Sequence, residues 1–231
     1  MTTTDIDAAW LEPTWFIDRD SPEVAAFTSR AVGSATDDTA RAIALFHAVR
    51  DGIRYDPYGI VYEPEAFRAS TIAGSSSNWC VPKSILLTAS ARHLGIPARL
   101  GFADVRNHLT SERLSERMGT DLFAWHGYSE LLLPDPRGAA GGRRWFKLST
   151  AFNIELCERF GVRVLEFDGT ADALMHPFDR AGNRHMEYVR QRGSFDDLPL
   201  GRMIADFREL YGTTFDTPTG GAAAAGDDAF S

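Results

Sequence analysis

Cysteine is scarce in this chain. The 231 residues hold two, Cys80 and Cys157. Two thiols make no disulfide framework, and they form no structural zinc site without help from scattered histidines. Positive charge is also in deficit, with 24 Lys and Arg against 32 Asp and Glu and a net charge of -8. No basic cluster reverses this locally, Gly142-Arg143-Arg144 being a loop edge. A nucleic-acid partner is therefore not expected, because phosphate backbones need a positive footprint. No run of 18 apolar residues occurs, which argues against a membrane-spanning helix and a membrane partner. The first residues, Met1-Thr2-Thr3-Thr4-Asp5, lack the basic and apolar regions of a secretory signal, so a cytoplasmic setting with reduced thiols is expected. No carboxylate loop has calcium-ligand spacing, and His185-Met186-Glu187 is too sparse for a metal site. Neither metal nor cofactor is expected.

Apolar residues, in contrast, are ample. They make up 44% of the chain and aromatics 11%, enough for a real core. The length fits one domain, expected over residues 1–215, followed by an acidic Thr/Pro/Gly/Ala-rich tail, 216–231, expected to be disordered. Pro13 to Asp18 reads as a short edge strand or an arm on the core. Ser21-Pro22-Glu23 reads as a helix start, with Ser at the N-cap and Pro at N1. Asp37 or Asp38 caps a second helix, whose Ala42, Leu45, Phe46, Val49 and Ile53 recur at three- and four-residue steps. Ala98 to Val105 alternates like a strand. Thr110 to Met118 reads as a short helix. Phe123 to Leu133 and Arg144 to Leu148 flank a Pro/Gly/Asp turn and read as an antiparallel hairpin. Further on come a short helix at Phe152 to Phe160, a strand at Val164 to Phe167, a polar excursion over 171–199, and a last helix from Leu200 to Tyr211. Helices followed by an antiparallel sheet make an α+β layout.

The stretch that carries chemistry runs from Ser75 to Phe102. A small polar loop ends in Asn78-Trp79-Cys80, and an apolar periodic run follows until Gly95-Ile96-Pro97. Cys80 thus opens a helix expected to be buried. A helix N-terminus carries partial positive charge and free N–H groups, which favour thiolate and can hold an oxyanion, although Pro82 has no N–H to give. Trp125-His126-Gly127 lies mid-strand downstream, where His126 could serve as the thiol's base.

These pieces together resemble the transglutaminase-like superfamily in its bacterial, papain-related core form. The resemblance is carried by Tyr55-Asp56, Asn78-Trp79-Cys80, Gly95-Ile96-Pro97-Ala98-Arg99, His126 in a strand ending Tyr128-Ser129-Glu130-Leu131, and Arg144-Trp145-Phe146-Lys147-Leu148. It covers about residues 40–153 and leaves 154–215 as an extension. It implies a papain-like α+β core with the Cys helix packed on an antiparallel sheet. It also implies a Cys-His-Asp triad, acyl transfer through a thioester, and amide formation or hydrolysis. The family's Asp follows the return strand as Asp-Pro-Thr; here that stretch is Leu148-Ser149-Thr150-Ala151. Ser149 stands where Asp is expected, and Asn153 is the alternative orienter, since papain-like enzymes use Asn. A hydroxyl can orient imidazole but cannot stabilise imidazolium as a carboxylate does, and losing the charged partner costs about 10⁴ in rate in a serine protease.

The sequence therefore reads as a cysteine-dependent acyltransferase or amidohydrolase taking a small-molecule or peptide acyl substrate, with a role in small-molecule biosynthesis as one setting. A cysteine peptidase or amidase is the alternative within that chemistry. The alternative outside it is a silent module that binds a peptide or acyl ligand. The candidate residues are Cys80 and His126 with Ser149 or Asn153 for catalysis, Asn78 and the Cys80 N–H for the oxyanion, and Trp79, Tyr58, Arg106 and Asn107 for substrate. Lys83, one turn past Cys80, would either lower the thiol pKa or be solvated. Cys157 reads as core, and His47 and His93 as structural or surface.

Overall fold

The computed structural model describes residues 7–108, 116, 118–139 and 141–212. Helix α1 (Pro22–Val32) starts where Ser21 accepts the Val24 N–H on its hydroxyl, and α2 (Asp38–Gly52) starts where Asp37 accepts the Ala40 N–H. A two-residue strand, β1 (Arg54–Tyr55), follows, then a short α3 (Ala69–Ile72) and β2 (Ser77–Asn78), which pairs in parallel with β1. Helix α4 (Cys80–His93) is buried from Cys80 through Arg92, apolar and small polar residues alike. Such a helix cannot sit at a surface. It packs against the sheet on one side and against α1, α2 and α3 on the other.

The sheet is antiparallel throughout, in the order β5-β4-β3-β6, with β3 at Ala98–Asn107, β4 at Leu122–Pro134, β5 at Arg143–Leu148 and β6 at Met186–Phe195. Helix α5 (Ile154–Arg159) follows β5, and α6 (Leu200–Tyr211) ends the described chain. Thr88, a buried polar residue of α4, is satisfied against β4. It lies 3.1 Å from Ser129 Oγ, and that hydroxyl donates to the Ser84 carbonyl at 2.9 Å. Arg92, buried at the end of α4, donates to the carbonyls of Glu12, Ala98 and Asp196 and so ties the N-terminal arm, β3 and the approach to α6 to one side chain.

Of the two readings of residues 13–18 the arm holds: it is pinned by Asp18, whose carboxylate accepts from Arg68 and from the Ser70 N–H and hydroxyl, with Ile17 buried beneath. Two expectations need correction. Residues 164–167 form no strand: Leu165 and Phe167 fill the core, and the chain meets β5 again at an isolated bridge, Leu148 to Ala173. The excursion over 171–199 contains β6, a full edge strand paired along β3. Its Glu187, Arg190 and Arg192 break the apolar alternation, as edge strands do when charge guards them against further pairing. The helix expected over 110–118 falls outside the described residues except for Glu116 and Met118, and the expected tail lies wholly outside them.

Candidate active site

Cys80 is the first residue of α4, and Trp79 is its N-cap in an extended conformation that supplies no side-chain cap. The N–H groups of the first turn are therefore left to other acceptors. The backbone N–H groups of Gly127, Val81 and Cys80 each favour the thiolate of Cys80. Gly127 can lie beside that turn because it has no side chain. A Cβ there would lie 3.0 Å from both the Val81 Cα and the Ser84 Oγ, so any larger residue would push β4 off the first turn of α4.

His126 precedes that glycine on β4 and is 5% exposed, against 7% for Cys80. Its Nε2 lies 3.4 Å from Ser149 Oγ, at the end of β5. Nδ1 is the ring nitrogen that this contact leaves unused. Burial governs both groups. It pushes the Cys80 thiol up to about 11, outweighing the three N–H groups and the nearby Lys83, which act in the other direction. It pulls His126 down to about 4. The site thus holds a neutral thiol and a neutral imidazole, and the thiolate expected from the helix terminus alone does not win.

The strand phase just before His126 is set by a bulge. Ala103 faces His126 and Val105 faces Phe123, so Asp104 opposes both Ala124 and Trp125. Trp125 takes up the extra residue at φ 60, in the left-handed region. A tryptophan there costs about 1–3 kcal/mol and needs its surroundings to hold it. Asp104 accepts the Trp125 N–H at 3.1 Å, and Asp206 accepts its indole N–H at 2.9 Å. Arg192 pairs with both carboxylates and lies over the indole ring at 4.6 Å.

The loop that carries Ser149 is tied down from below. Lys83 is fully buried, and its ammonium donates to the carbonyls of Arg50 (2.9 Å), Ile53 and Ala151 (3.0 Å). It is therefore neither solvated nor beside the sulfur as a free cation. It joins the C-terminus of α2 to the 149–153 loop, and burial lowers it to about 7. Asn153 is the N-cap residue of α5, and its Oδ1 accepts the Tyr55 N–H at 3.2 Å, which ties it to β1 and leaves Ser149 as the neighbour of His126.

Cys80, His126, Trp79 and Asn107 share the wall of one cavity with Tyr55, Phe152 and Phe207, and about 770 Å³ lies between its walls, open mouth included. Arg106 lies outside that wall. It pairs with Asp121 at 2.8 Å and with Glu187 across the strands, so it is not a clamp within the cavity. Tyr58 is also outside the wall, in a turn whose N–H is accepted by Asp56. Asn78 turns its Oδ1 to the Trp79 N–H at 3.2 Å and its amide nitrogen to Ser75 at 3.4 Å, which occupies it within the loop. Tyr55, Gly127, Asp104 and the α6 aromatics were missed as site residues. Tyr55, in the Tyr55-Asp56 piece of the family pattern, and the glycine beside His126 carried a sequence signal. Among the described residues, no group of three or more His, Cys, Asp and Glu side chains is placed to hold a metal ion. No described helix is long and apolar enough to cross a membrane.

Residues 25–150, more than half of the chain, match the transglutaminase-like superfamily. The chain belongs to that superfamily. The cysteine helix packed on an antiparallel sheet is the corresponding core, and family and site together support a cysteine-dependent enzyme. Among solved structures, one from Cytophaga hutchinsonii, described as a candidate cysteine protease, is 14% identical with a TM-score of 0.46. The match covers 84% of this chain, which spans about half, 55%, of that one. No curated protein matches the sequence.

Proposed function

We propose that the protein transfers acyl groups through a thioester on Cys80. The Cys80 S–H proton passes to His126 Nδ1 as the sulfur attacks a carbonyl carbon. The new S–C bond makes a tetrahedral intermediate, whose oxyanion takes the N–H groups at the start of α4. Collapse breaks the bond to the leaving group, which departs with the proton held by His126. An amine or water then repeats the sequence in reverse and frees Cys80. With an amine the product is an amide, and with water it is an acid. The observation that carries this reading is that Cys80, at the N-terminus of α4, and His126 share one cavity wall.

The neutral pair sets a condition on the donor. A thiol near 11 is not ionised before attack, so the proton must move in the same step. Activated carbonyls such as thioesters and esters need the least help and are the expected donors; peptide amides need the most. A silent binding module is the second reading, favoured by Ser149, which gives His126 a single neutral contact at 3.4 Å.

The test is acyl-enzyme trapping. A thioester donor incubated with the protein at pH 7 should add one acyl mass, mapped to Cys80 and removed by hydroxylamine. Label on Cys157 alone, or no label together with unchanged ligand binding in Cys80→Ala, would establish the silent module instead.

A further inference from the structure

The cavity beside Cys80 owes much of its wall to residues beyond the family-matched stretch. That stretch ends at 150, whereas Phe152, Met186, Phe207 and Tyr211 come later and close the cavity from the C-terminal side. Phe207 is the centre of this closure. Its ring lies 6.3 Å from Trp79 and 5.6 Å from Tyr211, and α6 holds it there on its buried face.

The chemistry of the wall is one-sided. Among the described residues it includes no Asp, Glu, Lys or Arg. The Tyr211 hydroxyl is already used, donating to the Leu122 carbonyl and accepting the Ala124 N–H. Arg106, the residue expected to clamp a carboxylate, is paired with Asp121 and Glu187 and is not on the wall. A charged group entering this space would lose its water and meet no counter-charge among the described wall residues, which is far more costly than burying an alkyl or aryl group.

We propose that the acyl donor carries a neutral, apolar acyl group, a medium-length alkyl chain or a single aryl ring, which lies in the cavity against Trp79, Phe152 and Phe207 while its carbonyl meets Cys80. This rests on the acyl-transfer reading of Cys80. The extension after residue 150 is then a specificity element that turns the core's cleft into an acyl pocket. Ala124, small and on the wall, leaves room for that group.

The experiment measures Cys80 acylation of the full chain by intact mass, using the acetyl, hexanoyl, benzoyl and succinyl thioesters of N-acetylcysteamine. Each buried methylene supports up to about fourfold in rate, so a hexanoyl-to-acetyl ratio above about 10 is expected. The succinyl donor should react more slowly than acetyl. Ala124→Leu, which fills the pocket, should lower the hexanoyl-to-acetyl ratio about tenfold. Because each ratio is taken within one protein, partial loss of folded material cancels. Hexanamide and succinamate binding to Cys80→Ala, followed by calorimetry, separates the pocket from the chemistry. Equal labelling by all four donors, or a preference for succinyl, overturns the pocket and leaves acyl transfer standing. Labelling by none, with hexanamide still bound and succinamate not, overturns the acyl-transfer reading and leaves the apolar pocket.

Discussion

Ser149 Oγ lies 3.4 Å from His126 Nε2 at the position where a carboxylate would complete the triad. The hydroxyl can accept from the imidazole N–H, leaving Nδ1 free to take a proton, or donate to Nε2 and put the hydrogen on Nδ1, the wrong tautomer for a base. A carboxylate has no such ambiguity, since it only accepts. Ser149→Asp should therefore raise the acylation rate, by about tenfold or more, and raise the His126 pKa from about 4. Ser149→Ala should cost less than about tenfold, because a single long neutral contact is worth about 1 kcal/mol. Single-turnover acylation of folded variants, with thermal melts alongside, checks both. A folded Ser149→Asp protein with an unchanged or lower rate would sink the assignment.

Asp104 holds the left-handed Trp125 that sets the phase of β4 before His126. Asp104→Ala leaves Arg192, whose side chain is 5% exposed, with Asp206 as its remaining carboxylate. Breaking the buried one of its two pairs should cost about 3 kcal/mol. Asp104→Asn keeps an oxygen for the Trp125 N–H. If the bulge positions His126, Asn should restore most of the acylation rate lost in the Ala variant while recovering only part of the stability. Urea unfolding and acylation rates measured on both variants decide it; equal rates in the two, at less than about tenfold below wild type, would reduce Asp104 to a purely structural role.

Lys83 satisfies three buried carbonyls. Lys83→Met leaves them without that donor and should destabilise the fold by about 3 kcal/mol or more. The pH dependence has a definite sign. Burial brings Lys83 to about 7 from the usual 10.5, so between these values the unfolded chain binds more protons. The contribution of Lys83 to stability therefore rises with pH across that window, and Lys83→Met should lack the rise. Denaturation midpoints at pH 7 and 9 for both proteins test this.

At the acid end the same logic applies to two histidines. His126 and His185 both fall to about 4 through burial, and their unfolded values lie near 6.5. The unfolded state binds more protons between pH 4 and 6.5, so stability should fall as pH drops through that range, by about 1.4 kcal/mol at most per histidine for each tenfold rise in proton concentration. His185→Gln should flatten the slope without changing the pH dependence of acylation above pH 6. A slope identical to wild type in both His126→Asn and His185→Gln would mean that neither is buried neutral.

Much of the fold could be read from local chemistry. Ser21 and Pro22, Asp37, the buried run after Cys80 and the hairpin either side of residues 135–142 each announce themselves through caps, periodicity or turn residues. Elements whose reason is non-local could not. β6 is an edge strand with a charged, mostly exposed pattern, and only its pairing with β3 makes it a strand. Lys83 looks like any solvated lysine until the carbonyls of Arg50, Ile53 and Ala151 meet around it. The family's motif pointed to Cys80, His126 and Ser149. Phe207 and Tyr211 carry no motif and reach the cavity only because α6 folds back over β4.

The most direct measurement is the pH profile of Cys80 acylation in wild type and in His126→Ala. At pH 7 the wild-type rate should exceed the variant's by about 100-fold or more, the scale of general-base catalysis. The variant's rate should then climb tenfold per pH unit towards the thiol's value near 11, closing the gap as thiolate forms without a base. Superimposable profiles would contradict the role of His126, and the cysteine would be a buried thiol with no catalytic partner.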